Sequence, residues 1–501
     1  MNTIKSINPA TLEVNGEVEI TPVEAIETIF KNSRKAQKEW ARISLKERAK
    51  RVIGVNRIIS DQYDDISLLI SNEVGKPPSE AFVNEVYGVM DSTFHYYSTV
   101  FEHIGGKEEV PLGFYESLDK KSILLRKPVG IVCVIGPYNY PFTIPFQQIV
   151  QSLMAGNSVV FKPSSDTVLV GRKIQEIIDQ TNLPKNLVQT VFGSGSTLGN
   201  PLIDMADKVI FTGSTATGKR IMQRGANTLT EVSLELGGKS AMVVFPDANL
   251  ERAVLAARWG VFTNSGQVCA SVKRLYLHSE IYDSFLDRLV ELTKKLKQDI
   301  PTKPNVDIGA MVNEEQLNWV DKMVKTGLEE GAEVLTGGTR NPNLKGYFYE
   351  PTIMTATDNK MKIVQEEIFG PVLVVLKFED KEEVIEMVND NQYGLTSSIW
   401  TSDIEMGRIL AEEIETGTVM INEVVYSFAL PSTPWGGPKN SGIGRTHGKL
   451  GFYEVTRPLH INIDQYKEPD LWWMPYDDGF EEIVENFKNI ASSLVIKEKK
   501  P

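Results

Sequence analysis

The sequence predicts an α/β protein with two doubly wound domains of mostly parallel strands. Its 501 residues exceed the length of one small domain, and typical domain sizes suggest about three structural units. From about residue 128, short β-rich runs alternate with amphipathic stretches of helical spacing, and a second such series runs from about 240 to 430. Strands that alternate with helices indicate βαβ units, so each series predicts its own sheet.

The elements are predicted in chain order from caps and hydrophobic spacing. Thr21-Pro22-Val23-Glu24 and Ser44-Leu45-Lys46-Glu47 each have the pattern of a capping box, which predicts that the chain opens with helices. The strands of the first series are predicted over Val129–Ile135, Ser158–Phe161, Leu187–Phe192 and Lys208–Thr212, with helices over Val168–Ile178 and Ala216–Arg224. In the second series the predicted strands are Ala241–Val244, Val372–Leu376 and Gly417–Ile421.

Two segments outside these series have their own patterns. Glu116–Lys127 alternates like an exposed antiparallel strand, which is typical either of a ribbon that pairs with a neighbouring subunit or of a surface hairpin. The tail has an aromatic cluster at Leu471–Tyr476, and apolar residues at helical spacing then run from Phe480 to Leu494. The polar face of that predicted helix is mostly acidic, so docking onto the body or another subunit is favoured over membrane association.

The composition excludes several classes of protein. Hydrophobic residues make up 41% and charged residues 24% of the chain, which fits a soluble globular protein rather than a fibrous, disordered or channel protein. The net charge of −13 disfavours nucleic acid as a partner, because an acidic surface repels phosphates. The N-terminus lacks the apolar stretch of a signal peptide, and the most apolar run, Ile131–Ile135, is too short to span a bilayer. A cytoplasmic location is therefore expected.

The chain has two cysteines, one within a predicted strand and one after a predicted turn. They cannot form a disulfide framework and fall short of a zinc site, and the five histidines show no ligand spacing, so no metal is expected. Cys133 lies in the middle of a predicted strand, which indicates an inert core thiol. Cys269 follows the glycine-containing turn Asn264–Gly266, which allows either a buried filler or a nucleophile. A nucleophile needs a lowered pKa, access and a nearby group that completes the reaction.

Glu235 and Asn139 are candidates for such supporting roles. Glu235 lies between Leu234 and Leu236 and next to a glycine pair, and an apolar site would raise its pKa toward the range of a general base. The alternative is a salt bridge to Lys239. Asn139 directly follows the strongest predicted strand, where its amide could face an oxyanion or instead close an Asx turn.

A dinucleotide would bind at the carboxyl ends of the parallel strands. Gly213 and Ser214 follow a predicted strand and open a helix, whose N-terminus could receive a pyrophosphate. The spacing here is neither GxGxxG nor a complete P-loop, and Gly193-Ser194-Gly195 also departs from the fingerprint, so each signal alone is weak.

Taken together and in this order, these segments resemble the aldehyde dehydrogenase superfamily over nearly the whole chain. The matching motifs are Ile7–Thr11, Glu73–Pro77, the Asn139 loop, Phe161–Ser164, Phe211–Ser214, Glu235–Lys239, the Cys269 turn, Glu366–Pro371 and Pro434–Gly448. Cys269 follows Glu235 by 34 positions, as it does in relatives.

The resemblance implies an NAD(P)-dependent, non-acylating enzyme with a role for each matched residue. Cys269 would attack the aldehyde, Asn139 and the Cys269 N–H would hold the oxyanion, and Glu235 would activate the water that hydrolyses the thioester. The cofactor residues implied are Lys162 at the adenosine ribose, Ser214 near the pyrophosphate, and Glu367 with Phe369 at the nicotinamide ribose and ring. Ser165, Gly213 and Gly237 complete the implied cofactor-binding set.

The resemblance also implies a domain plan. Residues 1–110 and 129–236 would form the Rossmann-like cofactor domain and 237–432 the catalytic domain, while 111–128 with about 450–466 would form a β-ribbon oligomerisation arm. Residues 467–501 would be an amphipathic tail, which is longer than in many members. A homo-oligomer, either a dimer or a tetramer, is the expected state.

Several positions depart from the family pattern. Ser165 stands where NAD-selective relatives commonly have Glu, so no carboxylate repels a 2′-phosphate and the cofactor is either NAD or NADP. Tyr138 replaces a frequent Trp, Trp435 replaces a frequent Phe, and Gln148 stands where many relatives have Lys.

The substrate is expected to be an uncharged aliphatic or aromatic aldehyde. Val268 precedes the cysteine where relatives that use phosphorylated aldehydes have Arg. The residues proposed to form an apolar pocket are Tyr140, Ile144, Phe428 and Trp435. The alternatives are a semialdehyde dehydrogenase, a CoA-acylating enzyme, against which Glu235 argues, and a catalytically silent dinucleotide-binding protein.

Overall fold

A computed structural model describes residues 2–470, 472–476 and 478–495. The chain divides into a larger unit, Met1–Gly105 with Lys127–Arg457, and a smaller unit, Gly106–Arg126 with Pro458–Pro501. Both parallel sheets lie in the larger unit, which confirms the predicted α/β class. Leu471 of the predicted aromatic cluster, and Asp477 and residues 496–501 of the predicted tail, lie outside the described residues.

A β-hairpin and a group of helices open the larger unit. Their bounds are β1 Thr3–Ile7, β2 Val14–Glu19, α1 Ala25–Trp40, α2 Leu45–Val52, α3 Val55–Ser60, α4 Tyr63–Val74, α5 Pro78–Ala81, a π-helix over Phe82–Tyr87 and α6 Gly88–Ile104. The Ser44 cap is confirmed, because its side chain accepts a hydrogen bond from the Glu47 N–H. The Thr21 cap is wrong: α1 begins at Ala25, and the Thr21 hydroxyl accepts instead from the N–H of Phe192 (3.0 Å).

Two strands follow before the first parallel sheet, β3 Glu108–Glu109 and β4 Lys120–Pro128. The strand predicted over Glu116–Lys127 occurs only from Lys120 onward. Its first residues lie instead in a 3₁₀-helix, Gly113–Leu118, that ends at Asp119 in a left-handed conformation (φ 52°).

The next elements alternate between strand and helix. They are β5 Ile131–Ile135, α7 Thr143–Ala155, β6 Ser158–Lys162, α8 Val168–Asp179, β7 Val188–Thr190, α9 Gly195–Met205, β8 Lys208–Thr212, α10 Thr215–Gly225 and β9 Glu231–Glu235. They form a sheet of order β9-β8-β5-β6-β7, in which neighbouring strands are parallel. β5 and β6 are buried along their whole length, as expected of parallel strands covered on both faces.

The second series is longer. Its elements are β10 Ala241–Val244, α11 Leu250–Phe262, a 3₁₀-helix over Thr263–Gly266, β11 Arg274–His278, α12 Tyr282–Thr293, α13 Glu314–Glu329, β12 Glu333–Thr336, β13 Thr352–Thr355, α14 Lys362–Gln365, β14 Val372–Phe378, α15 Lys381–Asn389, β15 Thr396–Trp400, α16 Ile404–Glu413 and β16 Thr418–Ile421. The sheet order is β12-β13-β14-β11-β10-β15-β16, and only β12 pairs antiparallel within it. The strands predicted from sequence in both series occur with ends shifted by at most two residues.

The chain then returns to the first sheet. After a 3₁₀-helix over Tyr426–Ala429 come β17 Gly442–Ile443, α17 Gly448–Glu454, β18 Thr456–Asp464 and α18 Asp478–Ser493. β17 pairs antiparallel with β9, placing Gly442 opposite Glu235, and so becomes the sixth strand of the first sheet. The first sheet is therefore completed by a segment that lies about two hundred residues further along the chain.

The smaller unit contains a three-stranded sheet of order β18-β4-β3. Within it, Lys120 contacts the carboxylates of Asp464 and Asp470, and its ammonium lies 5.2 Å from the ring centroid of Trp472. The predicted tail helix occurs as α18. Among the described residues, no helix is long and apolar enough to cross a membrane.

Candidate active site

One pocket in the larger unit brings together Cys269 and Glu235, which the sequence places in different α/β series. Its lining also contains the predicted pocket residues Ile144, Phe428 and Trp435. Tyr140 is not among the lining residues. Its ring packs against the apolar cluster that contains Cys269 and lies 3.9 Å from the ammonium of Lys76. The remaining lining residues are Tyr96, Gln147, Gln148, Gln151, Thr212, Leu236, Leu395, Thr446 and His447.

A tight turn presents Cys269 to this pocket. Asn264, Ser265 and Gly266 have consecutive left-handed conformations (φ 50°, 54° and 71°). A Cβ on Gly266 would lie 2.1 Å from the Gly370 carbonyl oxygen, so the close approach requires glycine at this position. Cys269 remains partly exposed, whereas Cys133 is fully buried in β5. The turn therefore leaves one thiol available to a substrate.

Burial, with smaller contributions from the carboxylates of Glu367 and Glu235, raises the pKa of the Cys269 thiol to about 12. This direction differs from the lowered pKa expected of a nucleophile. The thiol is neutral at neutral pH in this state, so attack requires that a base remove its proton.

Glu235 ends β9 and is buried, with 5% of its surface exposed. Within the described part of the chain, neither of its carboxylate oxygens makes a hydrogen bond of ordinary geometry. Burial raises the pKa of Glu235 well above its usual range, although nearby Arg445 lowers it in part. The alternative of a salt bridge to Lys239 is not formed, because that ammonium donates to the Ile363 carbonyl (2.8 Å).

Asn139 is held against the cysteine loop. Its Nδ2 donates to the carbonyl of Gln267 (2.9 Å), two residues before Cys269. In return, Asn264 Nδ2 donates to the backbone carbonyl of Asn139 (2.9 Å). These reciprocal bonds fix the amide beside the turn that carries the thiol.

A buried ion pair supports the same loop, and sequence reasoning gave it no role. Lys76 Nζ donates to Glu85 Oε1 (2.8 Å) and to the Asn139 carbonyl (2.7 Å), and the side chains of Lys76 and Glu85 are both 0% exposed. Glu85 Oε2 accepts from the N–H groups of Phe142 (2.8 Å) and Thr143 (3.4 Å). Lys76 belongs to one of the matched motifs, but nothing in the sequence indicates that its partner is Glu85.

The predicted adenosine-side residues follow neighbouring strands of the first sheet. The strand order reverses at β5, which leaves a crevice at the carboxyl ends of β5, β6 and β8 where dinucleotides bind in such sheets. Lys162 ends β6, is buried and donates to the carbonyl of Pro163 (3.1 Å), while Ser165 is exposed just beyond it. Ser214 accepts from the Thr217 N–H (3.4 Å) and caps α10, so the N-terminus of that helix opens toward the crevice next to Gly213.

The predicted nicotinamide-side residues also lie together. Glu367 Oε1 accepts from the Gly238 N–H (3.0 Å), and a Cβ on Gly237 would lie 2.3 Å from Glu367 Oε2. Phe369 has a left-handed conformation (φ 55°) and packs edge-on against Tyr138, with 5.9 Å between ring centroids. A helix N-terminus, a lysine and a carboxylate beside a glycine pair fit the phosphate and ribose groups of a dinucleotide.

Comparison with known proteins identifies the family. The model of the aldehyde dehydrogenase family matches residues 1–461. The chain belongs to this family. Betaine aldehyde dehydrogenase of Bacillus subtilis is 38% identical over 433 residues, covering 84% of this chain and 86% of that protein. Betaine aldehyde dehydrogenase 1 of rice (Oryza sativa) is 35% identical over 481 residues, covering 94% of each chain.

Solved aldehyde dehydrogenases have the same fold. The NAD+ complex of the Bacillus cereus enzyme superposes with a TM-score of 0.88 at 32% identity, covering 93% of this chain and 94% of that chain. The NAD+ complex of betaine aldehyde dehydrogenase from Staphylococcus aureus gives 0.89 at 32% identity, covering 95% and 94%. This aldehyde dehydrogenase is accordingly an oxidoreductase that uses NAD or NADP.

Proposed function

We propose that this aldehyde dehydrogenase oxidises an uncharged aldehyde and releases the free carboxylic acid by hydrolysis, without CoA. The observation that carries the proposal is the single pocket shared by Cys269 and Glu235. A thiol alone could form a thioester, but hydrolysis of that thioester needs a base that activates water at the same place.

The first half of the reaction builds a covalent adduct on Cys269. Its sulfur attacks the carbonyl carbon as the thiolate, after the thiol proton has been lost to solvent water. A carboxamide carries two N–H groups, and Asn139 uses one of them on Gln267. The other, together with the Cys269 N–H, holds the oxyanion. Lys162, Ser214 and Glu367 would hold NAD(P)+, which would supply the hydride acceptor that collapse of the Cys269 adduct to a thioester requires.

Glu235 carries the second half. Because burial raises its pKa, the ionised carboxylate is a stronger base than an exposed one, so it can take a proton from water and then return it to the leaving thiolate. Members of the family that release acyl-CoA generally lack this glutamate, so its presence supports hydrolysis over acylation of CoA.

The charges of the pocket support an uncharged substrate. Among the described residues that line it, none is Lys or Arg, so the carboxylate of a semialdehyde would lack a counter-ion. Val268, the residue before Cys269, is buried in an apolar cluster with Ala270, Leu395 and Trp435. This position therefore offers no positive charge that could bind the phosphate of a phosphorylated aldehyde. The names of the betaine aldehyde relatives favour a second candidate, a cationic aldehyde, which could stack on the edge-to-face pair of Phe428 and Trp435 (5.2 Å between centroids).

We also propose a homo-oligomer, either a dimer or a tetramer, in a cytoplasmic setting. The three-stranded sheet supports this because eight of the nine residues of β18 are exposed in the single chain, which suits pairing with another copy. We propose in addition that the cofactor domain ends near residue 236 and that the catalytic domain ends near residue 432.

The test is reduced-nicotinamide formation with a panel of aldehydes, each run with NAD and NADP and with and without CoA. Turnover without CoA is expected, and Cys269→Ser should abolish it while NAD(P)+ binding persists, because a serine hydroxyl is far less ionised. Cys133→Ala is the matched control, since that thiol is fully buried in β5 and should leave turnover in place. Dependence on CoA, or full activity in Cys269→Ser, would contradict the proposal.

A further inference from the structure

One wall of the pocket is polar but carries no charge. Three of its residues are glutamines of α7, where Gln151 is the helical neighbour of both Gln147 (i, i+4) and Gln148 (i, i+3). The others are Tyr96 of α6 and His447, and all five are at least nine-tenths buried. Burial lowers the pKa of His447 to about 4, so this imidazole is also neutral at neutral pH.

Four of these side chains keep a buried hydrogen-bonding atom without a partner in the described part of the chain. They are the Tyr96 hydroxyl, Gln148 Oε1, Gln151 Nε2 and His447 Nδ1. A buried polar atom left unpaired costs about 1–3 kcal/mol, so four such atoms on residues that line one pocket carry a cost that a bound polar group would relieve. Such groups are retained where a ligand or an ordered water completes their bonds.

Other bonds already hold two of these side chains in place. Gln148 Nε2 donates to Thr212 Oγ1 (3.3 Å), and His447 Nε2 is hydrogen-bonded to Gln147 Oε1 (3.0 Å). Two of the four unpaired atoms, Gln148 Oε1 and His447 Nδ1, therefore belong to side chains whose orientation is fixed before a substrate enters, which favours selective binding.

The unpaired atoms include both donors and acceptors. Gln151 Nε2 can only donate, Gln148 Oε1 can only accept, and the Tyr96 hydroxyl can do either. A substrate ammonium offers donors only and would leave the Gln151 amide unpaired, while a carboxylate offers acceptors only and would leave the Gln148 oxygen unpaired. A hydroxyl donates one hydrogen bond and accepts others, so it matches both kinds of atom.

We propose that this wall selects aldehydes that carry a neutral hydroxyl group, over alkanals of equal size and over charged aldehydes. The inference rests on the proposed function and narrows its substrate class. Tyr96, Gln148, Gln151 and His447 then determine specificity, while Cys269, Glu235 and Asn139 carry out the reaction. A substrate without the hydroxyl would leave the buried atoms of the wall unpaired. A site built to hydrogen-bond one substrate group rejects an analogue that lacks this group more strongly than an apolar pocket can.

The experiment compares kcat/KM for molecules of similar size that differ in the group beside the aldehyde: glycolaldehyde, propanal, aminoacetaldehyde and glyoxylate, and the same series lengthened by one and two methylenes. In at least one series the hydroxyaldehyde should exceed the alkanal at least tenfold, which corresponds to about one hydrogen bond. Equal or better use of the alkanal in every series, or of a charged member, would overturn the inference. Failure to oxidise any aldehyde would instead refute the proposed function itself.

Two variants assign the preference to the wall. Tyr96→Phe removes one oxygen without changing the ring, and Gln151→Leu replaces the amide with an apolar group of similar size. Each should lower the ratio of hydroxyaldehyde to alkanal kcat/KM by about tenfold. Gln223→Leu, on an exposed part of α10, is the matched control and should leave the ratio unchanged.

Melting temperatures separate this role from a structural one. Because the Tyr96 hydroxyl has no described partner, Tyr96→Phe should melt no lower than the parent protein even though its specificity falls. A lower melting temperature with an unchanged ratio in both variants would show that the wall serves only the fold.

Discussion

Replacing Lys76 with Met tests whether the buried ion pair holds the loop of Asn139. The substitution keeps the length of an unbranched side chain but removes the ammonium. The structure shows what is lost: a 2.8 Å bond to Glu85, a 2.7 Å bond to the Asn139 carbonyl and a cation placed 3.9 Å from the Tyr140 ring.

The expected loss of stability is large because the Glu85 carboxylate stays behind at 0% exposure. Removing one partner of such a pair costs about 3–5 kcal/mol. In a cooperative unit of about 150–250 residues this lowers the melting temperature by about 6–20 °C. The rate should fall as well, since a displacement of about 1 Å at a reacting group can cost a factor of about 100.

The assay measures the melting temperature and kcat in Lys76→Met and in the double variant Lys76→Met/Glu85→Met. The double variant should regain part of the stability, because the unpaired Glu85 charge is gone although the Phe142 and Thr143 N–H groups lose their acceptor. It should not regain kcat, because the Asn139 carbonyl still lacks its donor. Lys325→Met is the control, since its pair with Asp321 is exposed and worth about 0–1 kcal/mol. A single variant that melts like the control, or a double variant with full kcat, would refute the reasoning.

Three further predictions follow from the site and the cofactor crevice. Glu235→Gln should give a burst of reduced cofactor and then stall, because hydrolysis of the thioester loses its base. In the parent the steady-state rate should rise with pH, because the raised pKa of Glu235 keeps its carboxyl protonated at low pH, and the variant should not show this rise. A linear time course in the variant would remove Glu235 from this role. Ser165→Glu should lower kcat/KM with NADP at least tenfold relative to NAD by repelling the 2′-phosphate, and an unchanged ratio would place the phosphate elsewhere. Burial raises the pKa of Glu73 from 4.5 to about 7, so its protonated side chain stabilises the fold fully below pH 4.5 and this stabilisation is lost as pH rises toward 8. Across that range the free energy of unfolding in urea should fall by about 3 kcal/mol more in the parent than in Glu73→Gln. Parallel pH profiles of the two proteins would contradict this.

The strands were predictable because their signal is local. Ile131–Ile135 is an unbroken apolar run between glycines, and a strand covered on both faces needs little else. The cap at Thr21 failed for the opposite reason. Its hydroxyl is used by Phe192, a residue far along the chain that no local pattern could reveal.

In the candidate site, too, features with a local sequence signal were predictable, and features that depend on distant residues were not. Cys269 and Glu235 could be proposed from motifs, and the structure places both at one pocket. The raised pKa of Cys269 and the ion pair behind Asn139 depend on burial and on distant partners, so they were beyond the motifs. The polar residues of α7 were hidden because the helix is buried all round and shows no polar face to solvent.

The late strand β17 has a consequence for synthesis of the protein on the ribosome. Until Gly442 and Ile443 emerge, β9 remains an edge strand, and Glu235 at its end lacks the neighbour that it has in the finished sheet. At about 5–20 residues per second, roughly 200 residues separate the two strands by about 10–40 s. An open β-edge is a template for pairing with another chain throughout that interval. We therefore expect nascent chains that stop short of residue 442 to depend on chaperones.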